Sequence, residues 1–379
     1  MAHKIISFLY ALFLPLHMLN SMTLGESLKL WYLPVMVMAV VGMFQCKRCW
    51  PYKQYRRYAM LVVLTFLTCI IGGTLVVGDC VNFLIIFLSL IPLLGMDKRL
   101  IYQLTPFFLF VAIELSFMFA TWINTNYRFQ GLYNDPNYLC VSLVVGIYMC
   151  CQNFKNNGWI VKMASVLAIL FSIYTVLVTQ SRGGMVALFC VLFFVLISYY
   201  STNRKIVLTI LLIGFLSSSS LMVKYAQNID NIVMRFSGER ESDVSSANSR
   251  IQEIESSFHA IADFPPVLLF GAGYGISGKA LEERMNLPYL FDNYHRIHNT
   301  YMAVFFEQGV VSFFLFLGMV LTLVLRTWKN DKVKFAVLVA ILLQAATIWL
   351  MPYLPFWMIF TVCAEEDKEM PKITLVRRK

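Results

Sequence analysis

The chain reads as an all-α polytopic membrane protein of about twelve transmembrane helices with one large external loop. Three observations predict this. The 379 residues are 59% hydrophobic and only 14% charged, whereas soluble domains carry about a quarter charged residues. The apolar stretches are continuous rather than alternating. They also run to roughly 17–25 residues, the length a bilayer core requires of a helix. Backbone polar groups in lipid must be satisfied internally, which leaves helices as the solution for unbroken apolar runs. Mean hydropathy is +0.68.

The expected spans are 5–21, 28–45, 59–77, 81–96, 104–123, 137–152, 163–180, 184–200, 206–223, 299–325, 335–350 and a short last one at 353–364. Basic links near 46–58, 97–99, 153–162, 201–205 and 326–334 alternate with poorly basic links at 22–27, 78–80, 124–136 and 181–183. With Lys4 and the basic tail, the first set holds about twice as many lysines and arginines as the second set and the large loop. By the positive-inside rule the first set is cytoplasmic. The last span is the weakest, being short and carrying Pro352 and Pro355; twelve spans are preferred because they keep the tail's charge inside. The N-terminal run resembles a signal peptide without a small-residue cleavage site, and reads as an uncleaved first helix.

The same topology accounts for the net charge of +10, so nucleic acid is not the expected partner. Most of the nine cysteines lie in spans and act as small hydrophobes. Cys46 and Cys49 form a lone C-x-x-C with no further ligands nearby, and no metal is expected.

The chain forms a single integral domain, 1–379, with the large external loop at 224–298. This loop holds about half of the acidic residues. Within it, Ser249 and Gln252 have the spacing of a capping box, which puts Arg250 at the first position of a helix. Ile251, Ile254, Phe258 and Ile261 follow at helical spacing, and Pro265-Pro266 ends the run. An amphipathic helix lying on the membrane or on the bundle is expected. Gly271-Ala272-Gly273-Tyr274-Gly275 lacks the preceding strand and third glycine of a dinucleotide loop and reads as a flexible turn.

Several polar residues stand out against this background. Arg182 sits at a boundary between two apolar spans, where a cation either snorkels or binds something. Gly183 and Gly184 after it would open backbone N–H groups to an anion. Arg250 opposes the dipole at the start of its expected helix, which leaves either a solvated charge or a phosphate site. Arg235 and Arg240 are possible assistants. His298 enters a span beside Asn299, and is either an interfacial residue or a general base for a hydroxyl. His295 is its rival. Glu307, nine residues on, is about half a helical turn round from His298 and is not expected to orient it. Glu114 and Glu307 are the clear carboxylates inside spans, each functional or structurally hydrogen-bonded.

Four motifs in order resemble the O-antigen ligase/polymerase superfamily of bacterial envelope glycosyltransferases. They are Gly131-Leu132-Tyr133-Asn134-Asp135-Pro136-Asn137, Ser181-Arg182-Gly183-Gly184, Arg250 ahead of Gly271-Ala272-Gly273, and His298-Asn299-Thr300-Tyr301 with Glu307-Gln308-Gly309. Asp135 within the first motif and Ser312 near the last depart from the commonest pattern. The resemblance implies a GT-C-like fold and transfer of a glycan from undecaprenyl diphosphate to an acceptor hydroxyl. The acceptor is lipid A–core for a ligase, or the next lipid-linked repeat for a polymerase of O-antigen or capsular polysaccharide. No metal or nucleotide cofactor is implied. On this reading Arg182 and Arg250 bind the diphosphate and His298 is the base. Asn137, Asn299 and Glu307 assist, and the loop helix acts as a lid. The site faces the periplasm from the inner membrane. Polymerase is slightly preferred, because many surface-polysaccharide pathways need one. A flippase for the same lipid-linked sugar is the rival class, but it would need more charge inside the spans than Glu114 and Glu307 supply.

Overall fold

The computed structural model describes residues 2–20, 23–24, 28–71, 77–119, 121–123, 128–133, 135–200, 241–275, 277 and 297–365. The expected ninth span at 206–223, Arg235, Arg240, His295 and the basic tail lie outside these residues. The helices in chain order are α1 (Ala2–Met18), α2 (Tyr32–Phe44), α3 (Lys53–Ile71), α4 (Val77–Leu90), α5 (Arg99–Met118), α6 (Pro136–Cys151), α7 (Asn153–Asn156), α8 (Trp159–Thr179) and α9 (Arg182–Tyr200). Then come α10 (Glu241–Asp263), α11 (Pro266–Phe270), α12 (Thr300–Asn330), α13 (Lys332–Ala345) and α14 (Leu354–Ala364). Two small antiparallel hairpins join them, β1 (Thr23–Leu24) with β2 (Leu28–Lys29) and β3 (Thr121–Ile123) with β4 (Arg128–Gly131).

The molecule is a helical membrane protein. Among the described residues α5, α8 and α12 are long and apolar enough to cross a membrane, and six shorter apolar helices accompany them. Outward faces are apolar too: Ile160, Met163, Leu167 and Leu170 on α8, and Val311, Phe314, Leu321 and Leu325 on α12, are all exposed. Such surface is stable only against lipid.

The centre is α6, buried over nearly its whole length and packed by α5, α8, α9, α13 and α14. All eleven residues of α14 are buried. At 1.5 Å per residue α14 is only about 16 Å long, too short to cross a bilayer core. Its shortness fits a helix enclosed by protein on every side. The opening of α6 is fixed by a polar cluster. Tyr133 hydrogen-bonds to His17 of α1 and to Tyr353 ahead of α14, and Tyr353 Oη donates to Tyr138 O at 2.9 Å. These bonds pin the turn that carries Asp135 and Asn137.

The 31-residue α12 bends at Gly309, whose φ of 77° is left-handed. The break releases helix carbonyls, which need other donors. Ala272 N donates to Phe306 O (2.8 Å) and Gly273 N to Glu307 O (3.0 Å). The expected flexible turn is therefore a wedge that completes the kink. Gly271 has φ +72°, and a Cβ there would strike the Glu307 carbonyl. Gly271→Ala is expected to cost at least about 1–2 kcal/mol from the left-handed backbone alone. Thermal unfolding of the detergent-solubilised protein, and its level in the membrane, check this.

Candidate functional site

One end of the bundle gathers the polar motifs. The turn from α8 to α9 passes through Gln180, whose φ of 51° is left-handed. Ser181 then caps α9: its Oγ accepts from Gly184 N at 3.0 Å, satisfying an otherwise orphan donor. The same hydroxyl donates to Asn137 Oδ1 at 2.6 Å. Asp135 caps α6 by accepting from Asn137 N at 2.6 Å. Two motifs 44 residues apart are thus locked together, with Arg182 on the first turn of α9.

The glycines after Arg182 are required by packing. A Cβ on Gly184 would collide with Cys140 of α6, and one on Gly183 would press Thr347 Oγ1 at 2.9 Å. The N–H of Gly184 is already given to Ser181, which corrects the expectation that it faces an anion.

The loop helix differs from expectation in its capping. Its described part already runs from Glu241, so Ser249 and Arg250 lie in its interior and the capping box does not form. Arg250 therefore acts through its guanidinium without a helix N-terminus beside it. The apolar repeat is divided between two faces, with Ile261 buried and Ile254 packed against the core. Ile251 and Phe258 are 54% and 55% exposed, while Glu253, Ser256, Ser257 and Ala260 are buried. The helix turns a polar, small-residue stripe inward, because Glu253 has a partner there.

That partner is His298. Glu253 Oε2 accepts the His298 backbone N–H at 2.8 Å, and Oε1 lies 2.9 Å from the imidazole Nδ1. The Glu253 side chain is 8% exposed and that of His298 35%, so the carboxylate is enclosed and the ring reaches the rim. Asn299 caps α12, its Oδ1 accepting from Met302 N at 3.0 Å. Thr300 Oγ1 donates to Ile348 O at 2.6 Å and accepts from Leu350 N at 2.9 Å. Glu307 is fully buried below, its Oε1 accepting from Ser277 N at 3.4 Å. Glu114 is half-buried on α5.

Arg250 stands among charges. Burial lowers its guanidinium from the ordinary arginine value, Asp135 and Glu253 raise it again, and Arg182 lowers it further. Arg182 on α9 and Arg250 on α10 are thus within electrostatic reach of one another. A third cation, Arg128 of β4, donates from Nε to Thr179 O at 3.2 Å just before the Ser181 turn.

Beside His298 an apolar groove of about 360 Å³ is lined by Ile254, Phe258, Asn299, Tyr301, Met302, Phe305 and Phe313. Sequence reasoning missed Glu253, treated Asp135 only as a departure from pattern, and passed over Arg128. An acid at i+3 from Arg250 on the expected helix was a signal for Glu253, since residues three apart share a face. Its histidine partner carried no local signal.

Fold and site together define a helical membrane protein with a cationic, histidine-bearing rim. Residues 167–317 match a family model described as O-Antigen ligase. The match runs from α8 into α12 and takes in Arg182, Arg250, Glu253 and His298. It supports the O-antigen ligase/polymerase superfamily, and with it a glycosyltransferase-type enzyme acting on lipid-linked glycans in a membrane. No curated protein matches the chain.

Proposed function

We propose that the protein transfers a glycan from undecaprenyl diphosphate to an acceptor hydroxyl during O-antigen or capsular polysaccharide assembly. Transfer takes place at the periplasmic face of the bacterial inner membrane. The observation that carries this reading is His298 held by the Glu253 carboxylate, three residues along α10 from Arg250, with Arg182 of a separate helix acting electrostatically on Arg250. Two guanidiniums in reach of one another repel, and an anion between them relieves that cost. A planar guanidinium fork suits a diphosphate.

In the reaction the acceptor oxygen attacks the anomeric carbon of the donor, and the bond from that carbon to the diphosphate oxygen breaks. His298 takes the hydroxyl proton through its Nε2. Arg182 and Arg250 neutralise the charge that grows on the departing lipid diphosphate. The apolar groove beside Asn299 suits the prenyl chain at the membrane surface, and exposed Ile251 and Phe258 let α10 rest against lipid. Asn137 and Asn299 assist by holding the two turns that carry Arg182 and His298, while buried Glu307 supports the bend in α12.

The test is the surface-glycan profile of a deletion strain, with the same strain carrying the wild-type gene as the control. Loss of chain length with a single unit still attached identifies a polymerase, the reading slightly preferred. Loss of all attached glycan identifies a ligase with lipid A–core as acceptor. An unchanged profile overturns the proposal.

A further inference from the structure

We infer that Glu253 is the positioning residue of the site, fixing the tautomer and orientation of His298 and tying them to Arg250. The inference rests on the glycosyl-transfer reading above. A carboxylate only accepts hydrogen bonds. With Oε1 at 2.9 Å from Nδ1, that ring nitrogen carries the proton, and Nε2 is the one left to receive another. The second contact, Oε2 to the His298 backbone N–H at 2.8 Å, fixes the main chain as well as the ring. Neither swing of the ring nor drift of the turn is then free, which is the preorganisation that general-base catalysis needs.

The charge matters in addition to the geometry. When the acceptor hydroxyl forms its bond to the anomeric carbon, its proton moves to Nε2 and an imidazolium appears. The electron pair of the broken bond leaves on the lipid diphosphate. Glu253 lies against the new cation and stabilises it without taking the proton, as a buried carboxylate does behind a catalytic histidine. Arg182 and Arg250 would otherwise disfavour a third positive charge nearby, and Glu253 offsets them.

The place of Glu253 on α10 couples the two halves of the reaction. Arg250 is one helical turn away on the same helix, and Glu253 acts electrostatically on it. A donor diphosphate gripped by Arg250 therefore holds in place the helix that aligns the base. One rigid element serves both leaving group and acceptor.

The experiment uses the full-length protein in proteoliposomes with a lipid-linked oligosaccharide donor. Glu253→Gln is expected to lower kcat about 100-fold, with KM for the donor within about twofold of wild type. Arg250→Ala, by contrast, raises donor KM. Glu253→Asp keeps the charge on a shorter arm that no longer reaches both contacts, and is expected to retain only about a tenth of wild-type kcat. In a His298→Ala background, Glu253→Gln is expected to add no further loss, since the two act as one unit. Wild-type kcat in Glu253→Gln, or an additional full loss in the double variant, overturns the inference. If Glu253→Gln does not reach the membrane, Glu253→Asp carries the test: a kcat loss at constant KM supports the role, and an unchanged kcat removes it. Wild-type turnover in His298→Ala would instead bring down the glycosyl-transfer reading itself.

Discussion

Replacing His298 by alanine is expected to lower glycan transfer by about 10³-fold, within the span that a positioned general base contributes. The loss should appear in kcat, because the imidazole acts on the acceptor proton and not on donor binding. The fold should survive. The side chain is 35% exposed, and the backbone N–H would still donate to Glu253 Oε2. Turnover in proteoliposomes and the surface-glycan profile measure it, with the membrane level of the variant as control. Activity within a few-fold of wild type would remove the base from the mechanism.

The second large effect is expected at the arginine pair. Arg182→Ala and Arg250→Ala should each lower turnover by about 10²–10³-fold, the cost of removing one preorganised charge from a developing anion. The two lie on different helices, yet each sits in the field of the other, so the double variant should fall short of the product of the single losses. Lysine keeps the charge but not the fork, and is expected to restore only part of the activity. Arg250→Ala carries a further consequence. It removes a positive charge from the field of Asp135 and Glu253, so some of its loss reflects a changed surrounding charge. Donor titrations of each variant separate weakened diphosphate binding from slowed transfer. Unchanged donor affinity and turnover in both would place the diphosphate elsewhere.

The helices were legible because their signals are local. Apolar runs of membrane length name themselves, and the ranges expected for α5, α6, α8, α9 and α12 differ from the observed ones by only a few residues. The candidate arginines and histidine stood out for a similar reason, since each is a polar residue beside greasy neighbours. The misread parts depended on packing. Ser249 and Gln252 have the right spacing for a cap, but the chain is already helical from Glu241. The apolar repeat from Ile251 left open whether the helix lies on the membrane or on the bundle. In the fold Ile261 and Glu253 turn inward while Ile251 and Phe258 stay exposed. Gly183 and Gly184 looked like an anion-binding turn, yet Cys140 and Thr347 occupy the space that side chains would need.

By itself the sequence determined a helical membrane protein, the polar segments that interrupt it, and the residues able to bear charge at its rim. These follow from lipid as solvent, which makes each helix satisfy its own backbone and each charge conspicuous. Only the tertiary structure decided the partners. Glu253 meets His298 across 45 residues, Asn137 meets Ser181 across 44, and the Gly271–Gly273 turn caps the break at Gly309. Such pairings arise from how helices pack and turn about their axes. A shift of one residue rotates a side chain by about 100°, which follows from 3.6 residues per turn, and no run of apolar letters fixes that angle.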